Sequence, residues 1–224
     1  MKKQTKILSI CNSKGGVGKS VVTLMMATAL AEQKNKRVLI IDCDSQATVY
    51  ELVEREKEHY PDDEALVEVE ALSPRRVNTF LKRFADDYDV IFIDIPRMTD
   101  KKADNPTVML LYNCDGILVP VIGSEVDLLA TQEFLAVIEE CKTFKAEMKE
   151  DFATYGFINR RNARKSNEEA EVKIRKDGLK MFTNSLPDLR IFTSPSAFRS
   201  PLQTAEGERR FEGFYKEFCR KFKV

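Results

Sequence analysis

The chain lacks any uninterrupted apolar segment long enough to cross a bilayer. Its first residues carry no apolar stretch followed by a small-residue cleavage site, so a cytosolic protein is expected. Cysteines are few: five, at positions 11, 43, 114, 141 and 219, with no C-x-x-C pair. That odd, scattered set argues against a disulfide framework and a zinc site alike, and Cys11 and Cys43 read as small buried hydrophobes at strand ends. No repeat or low-complexity linker divides the 224 residues, of which 43% are hydrophobic, so one domain spanning 1–224 is expected. Net charge is absent as well, 36 basic residues balancing 36 acidic ones. The balance is uneven along the chain: residues 1–140 carry 24 acidic against 17 basic, and residues 141–224 carry 19 basic against 12 acidic. The basic C-terminal third is therefore the part suited to an anionic polymer. Residues 51–70 are acidic but lack the ligand spacing of a calcium loop, and they read as a solvated helix and loop.

Against these absences stands a regular alternation. Short runs rich in Val, Ile and Leu recur at Lys6–Cys11, Val38–Asp42, Val90–Ile95, Gly116–Ile122 and Thr154–Asn159. They are apolar on both faces, as buried parallel strands require. Helical patterns fill the intervals: Ser20–Gln33, Thr48–His59, Pro74–Asp87, Pro106–Asn113, Asp127–Phe144 and Asn167–Phe182. The expected fold is α/β, a mostly parallel sheet with helices on both faces and ligands beyond the carboxyl ends of the strands.

The first strand runs into Asn12-Ser13-Lys14-Gly15-Gly16-Val17-Gly18-Lys19-Ser20, and a helix follows. Glycines at 15, 16 and 18 let the backbone curl with its N–H groups inward, while the helix that begins there adds its positive end. Such a loop cradles phosphates, with Lys19 reaching the terminal ones and the Ser20 hydroxyl suited to Mg²⁺. The ordinary P-loop pattern has Gly where this chain has Ser13, and an extra lysine, Lys14, precedes the double glycine. Two further segments end in acids. Leu39-Ile40-Ile41-Asp42-Cys43-Asp44 places two carboxylates at i and i+2, on the same side of an extended segment. Val90-Ile91-Phe92-Ile93-Asp94 follows Walker B logic, an acid emerging from a buried strand beside a metal.

The loop from Lys14 to Ser20 resembles the deviant Walker A box of the ParA/MinD superfamily of ATPases, and the short interval from Asp44 to Asp94 makes the chain most similar to the small ParF/Soj-type partition ATPases. The resemblance implies a P-loop fold of the deviant type that binds Mg-ATP. It places the phosphates on Lys14, Gly15, Gly16, Val17, Gly18, Lys19, Ser20 and Val21, with Lys14 crossing a dimer interface to the partner's phosphates. Asp44 matches the residue that orients the attacking water, Asp42 one that supports the magnesium shell through water, and Asp94 the outer magnesium ligand. Asn159, in Gly156-Phe157-Ile158-Asn159-Arg160, matches the adenine-recognising amide, and Pro187 matches a contact in the late segment that closes over the base. The chain departs from the family at Ser45, where D-x-D-P-Q has proline, and at Arg97, where D-x-P-P has a second proline.

What the resemblance implies further is slow ATP hydrolysis, homodimerisation on ATP binding, nucleoid association through non-specific DNA binding, and a ParB-like activator protein. No helix-turn-helix precedes the phosphate loop, so operator binding by such an N-terminal element is not expected. The DNA-contact candidates are Arg160, Arg161, Arg164, Lys165, Lys173, Arg175, Lys176, Arg199, Arg209 and Arg210. A MinD-like membrane switch is the alternative. The last helix, 209–223, carries Phe211, Phe214, Tyr215, Phe218, Cys219 and Phe222 on one stripe, which suits either a membrane surface or a helix packed on the sheet. A metabolic synthetase or an iron–sulfur relative of the same superfamily is the third possibility, and no cysteine stands close after Asp94 to hold a cluster.

Overall fold

The computed structural model describes residues 5–98, 102, 105–123, 125–162 and 166–224. Six parallel strands form one sheet: β1 (Lys6–Ile10), β2 (Val38–Asp42), β3 (Glu68–Ala71), β4 (Val90–Asp94), β5 (Gly116–Val121) and β6 (Ala153–Ile158), in the order β3-β2-β4-β1-β5-β6. Every residue of β2, β4 and β5 is buried, which explains their unbroken apolar composition. Alternate side chains serve opposite layers. Ile40 and Phe92 face a core built with α1 (Lys19–Lys34), α2 (Thr48–His59) and α7 (Ala205–Phe222). Leu39, Ile41, Ile91 and Ile93 face a second core with α3 (Pro74–Phe84), α4 (Pro106–Met109), α5 (Glu125–Glu147) and α6 (Ser166–Lys176). The α/β expectation holds, with helices on both faces.

Three local expectations need correction. β3 overlaps the end of the acidic stretch read as helix and loop; three of its four residues are exposed because it is an edge strand, paired with β2. α6 stops at Lys176, well before Phe182. Gly178, at φ 93°, turns the chain, and the next residues run beside β6, where Gly156 N donates to Lys180 O at 2.8 Å. The helix begun at Pro74 gives way at Phe84 to a 3-10 turn.

The terminal helix is resolved in favour of the core. Phe211, Phe214, Phe218 and Phe222 are all at most 4% exposed, and their rings pack against Phe182, Phe92 and Phe157. Its N-terminus is capped by Thr204, whose side chain accepts from Gly207 N. Among the described residues, no helix is long and apolar enough to cross a membrane.

Candidate active site

The strand order brings the carboxyl ends of β1, β4 and β2 side by side, and the chemical residues converge there. The loop between β1 and α1 curls as its glycines allow: Gly16 has φ 76° and Gly18 has φ 89°, backbone that a side chain would strain. Its flank is anchored from below. Asn12 donates through Nδ2 to Pro120 O at 3.0 Å and to Thr131 Oγ1 at 2.9 Å, while its Oδ1 accepts from Lys14 N. The Ser13 hydroxyl donates to Ala130 O at 2.9 Å. Ser13 therefore replaces the usual glycine with a tether to α5.

Lys19, the first residue of α1, is 9% exposed, and its ammonium donates to Lys14 O at 3.2 Å. Burial lowers its pKa, the Asp94 carboxylate opposes that lowering, and Arg97 adds to it. Asp94 is paired in register with Asp42 across β4 and β2. Burial raises the Asp94 pKa to about 7, against the pull of the Ser20 hydroxyl. Its Oδ1 is buried and has no hydrogen-bond partner. An acceptor left in that state needs a donor that the chain does not supply, and the hydration shell of a magnesium ion provides one. The donor chemistry suits that ion, since the hydroxyl of Ser20 and the carboxylates of Asp42 and Asp94 are all oxygens.

Asp42 is more occupied than its neighbour. Oδ1 accepts from Asp44 N at 3.1 Å, and Oδ2 accepts from Val49 N at 2.9 Å and Tyr50 N at 3.2 Å. It anchors the start of α2, and Oδ1, which accepts a single bond, retains acceptor capacity for water. Burial raises its pKa, countered by these three bonds. Asp44 is partly exposed, and its Oδ1 accepts from Gln46 N at 3.0 Å, with Ser45 in the turn between them.

The residues expected on the base side, Asn159 and Pro187, also gather. A cavity of about 60 Å³ is lined by Gly18, Val21, Asn159, Arg160, Pro187 and their neighbours. Asn159 Nδ2 donates to Val17 O at 2.8 Å, tying the end of β6 to the phosphate loop. Pro187 is brought alongside by a parallel bridge to Arg161. A larger cleft of about 880 Å³ opens between α2 and residues 193–195, from Gln46 to Tyr60 and Pro195. It contains neither the glycine loop nor the paired acids.

The nucleotide-binding domain model described as CobQ/CobB/MinD/ParA matches residues 8–199. The chain belongs to that family. Among its relatives, maintenance of carboxysome distribution protein A of Halothiobacillus neapolitanus is 27% identical over 144 residues, covering 63% of this chain and 62% of the relative. The chain thus matches less than two thirds of that protein's length. Solved structures that share the fold include the following pair. A plasmid partition protein from Borrelia burgdorferi is similar at TM-score 0.71 and 18% identity, covering 98% of this chain and all of the other. Cobyrinic acid a,c-diamide synthase from Mycobacterium smegmatis, with bound ADP and magnesium, is similar at TM-score 0.72 and 16% identity, covering 99% and 96%.

Several features were not legible in the sequence. The Asn12 and Ser13 tethers require knowing where α5 crosses, and the Asn159 bond to Val17 joins residues 142 positions apart. Among the basic candidates, Arg161 and Arg175 both pair with Glu171, at 3.6 and 2.8 Å, and Arg209 pairs with Glu206 at 3.9 Å. Arg199 stacks over Tyr60. Arg160, Lys173, Lys176 and Arg210 are exposed, and Arg164 and Lys165 lie outside the described residues.

Proposed function

We propose that this chain is a ParA-like ATPase in which Mg-ATP assembles a sandwich dimer, the dimer holds DNA without sequence preference, and hydrolysis resets it. The observation that carries the reading is the convergence of the Lys14-to-Ser20 loop with Asp94 and Asp42 at adjacent strand ends. Phosphoryl transfer to water rests on positioning and charge neutralisation. Lys19 and the loop amides hold the phosphates, Asp44 orients the attacking water, and Lys14 completes the partner's site. Asn159 offers both a donor and an acceptor to adenine once its bond to Val17 opens, with Pro187 beside the base. Ser20, with Asp94 and Asp42 acting through water, would hold Mg²⁺, which supplies neutralising charge on the phosphates.

The DNA reading draws on the basic C-terminal third, and Arg160, Lys173, Lys176 and Arg210 are the strongest candidates there because they are exposed and, among the described residues, no acid pairs with them. A ParB-like protein would stimulate turnover, and the cargo would be a plasmid, chromosome or mobile element. The relative named for carboxysome distribution extends the cargo classes to a protein compartment. The membrane alternative loses its main support, because the aromatic stripe of α7 is already covered. The test is size-exclusion of an Asp44→Ala variant with ATP, with and without DNA. An ATP-dependent dimer that shifts onto DNA, with affinity falling steeply as salt rises, is expected. A monomer under every condition would refute the switch.

A further inference from the structure

The acid of β4 is followed by Ile95 and Pro96, and then by Arg97 in place of the family's second proline. Its side chain does not leave the site. Arg97 Cδ lies 3.5 Å from the position that a Cβ on Gly15 would take, so its stem rests on the phosphate loop itself. It is exposed, and among the described residues no hydrogen bond or ion pair occupies its guanidinium. Its charge also reaches Lys19, where it disfavours the ammonium form. Two cations held over one loop repel each other until an anion lies between them. A guanidinium presents a planar fork of donors matched to two phosphate oxygens, which an ammonium cannot reproduce.

We propose that Arg97 is a phosphate-binding residue of this site, acting within its own subunit on the terminal phosphate of ATP. The inference rests on the ATPase reading above and adds a cation that the family pattern does not include. Lys19 holds the phosphate chain from the buried side of the loop, and Arg97 closes on it from the solvent side. The third phosphate then has a contact that ADP lacks, so Arg97 discriminates ATP from ADP before any dimer forms.

The experiment is titration of a fluorescent ATP analogue and its ADP counterpart, with Mg²⁺, into the wild-type chain and into Arg97→Ala and Arg97→Lys. It is run at protein concentrations where the chain is monomeric, with melting curves confirming the fold of each variant. Arg97→Ala is expected to weaken ATP binding about tenfold or more, the loss of one charge-assisted hydrogen-bonding group, while ADP binding changes by less than about threefold. Arg97→Lys should fall between, having the charge without the fork. Binding of inorganic tripolyphosphate should follow the ATP pattern, which a merely structural role for Arg97 would not produce. If wild-type protein binds neither nucleotide, the ATPase reading fails and this inference with it. If wild-type protein binds ATP and Arg97→Ala leaves the ATP-to-ADP affinity ratio unchanged, Arg97 alone is refuted.

Discussion

Asp94 is a charge that the nucleotide-free fold holds at its own expense, and Asp94→Asn should reveal the size of that expense. The carboxyl has an ordinary value of 3.8 and is raised to about 7 in the folded protein, chiefly by burial. With a raised folded pKa, its favourable contribution is complete below 3.8 and is lost as pH climbs to about 7. Over that window the wild-type protein loses about 1.4 kcal/mol per pH unit through this one group, and the loss then levels off. Asparagine replaces the protonated acid without titrating, so the stability difference between variant and wild type should grow across the window and flatten above it. The full shift corresponds to about 4 kcal/mol. Losing the attraction to Lys19 and leaving an amide donor to be satisfied offset part of it, so a gain of about 2 kcal/mol at pH 8 is the working expectation. Urea unfolding of both proteins without nucleotide, at pH 5.5 and pH 8, reads it directly. Saturating Mg-ATP should reverse the ranking, because the wild type gains ligand stabilisation that the variant lacks. A variant no more stable than wild type at pH 8, or a difference independent of pH, would show that Asp94 is not a buried charge in want of a partner.

Three further outcomes follow from the geometry. Lys14→Ala should leave monomeric ATP affinity within about threefold of wild type while abolishing the ATP-dependent dimer in light scattering, since its contribution is to the opposite subunit. Gly18→Ala should destabilise the chain by about 1–3 kcal/mol in thermal unfolding and impair nucleotide binding, because the position requires φ 89° and a Cβ there would run into the Asn159 amide. Phe218→Ala, which removes a ring 1% exposed beneath the sheet, should cost about 3–5 kcal/mol and leave the loop's chemistry untouched in whatever fraction stays folded.

The strands that bear the site were readable because each is buried on both faces, so hydrophobicity alone marks them; β2 spans Val38–Asp42 in the structure as in the sequence pattern. The acids were readable for the same reason, as the first charges after such runs. β3 was not, since Glu68 and Glu70 make sense in a strand only beside the open edge of β2, an edge that no local pattern announces. The end of α6 was missed because Leu179 and Met181 continue an apolar rhythm while serving the core as extended chain. Arg97 and Asn159 were visible as residues but not as contacts, since both meet the phosphate loop across long separations in sequence.

The pairing of Asp42 with Asp94 across β2 and β4 has a consequence for folding fidelity. Parallel strands of Val, Ile and Leu offer little to choose between one alignment and the next, because every shifted pairing still buries apolar side chains. A slip of one residue would carry each side chain of the slipped strand to the opposite layer and part at least one of the two acids from its partners at the strand ends, Ser20 and Lys19 for Asp94 and the first amides of α2 for Asp42. The same carboxylates that converge at this end of the sheet thus act as end-stops, favouring the alignment in which Asp42 keeps its three backbone donors and Asp94 keeps the Ser20 hydroxyl and the Lys19 charge.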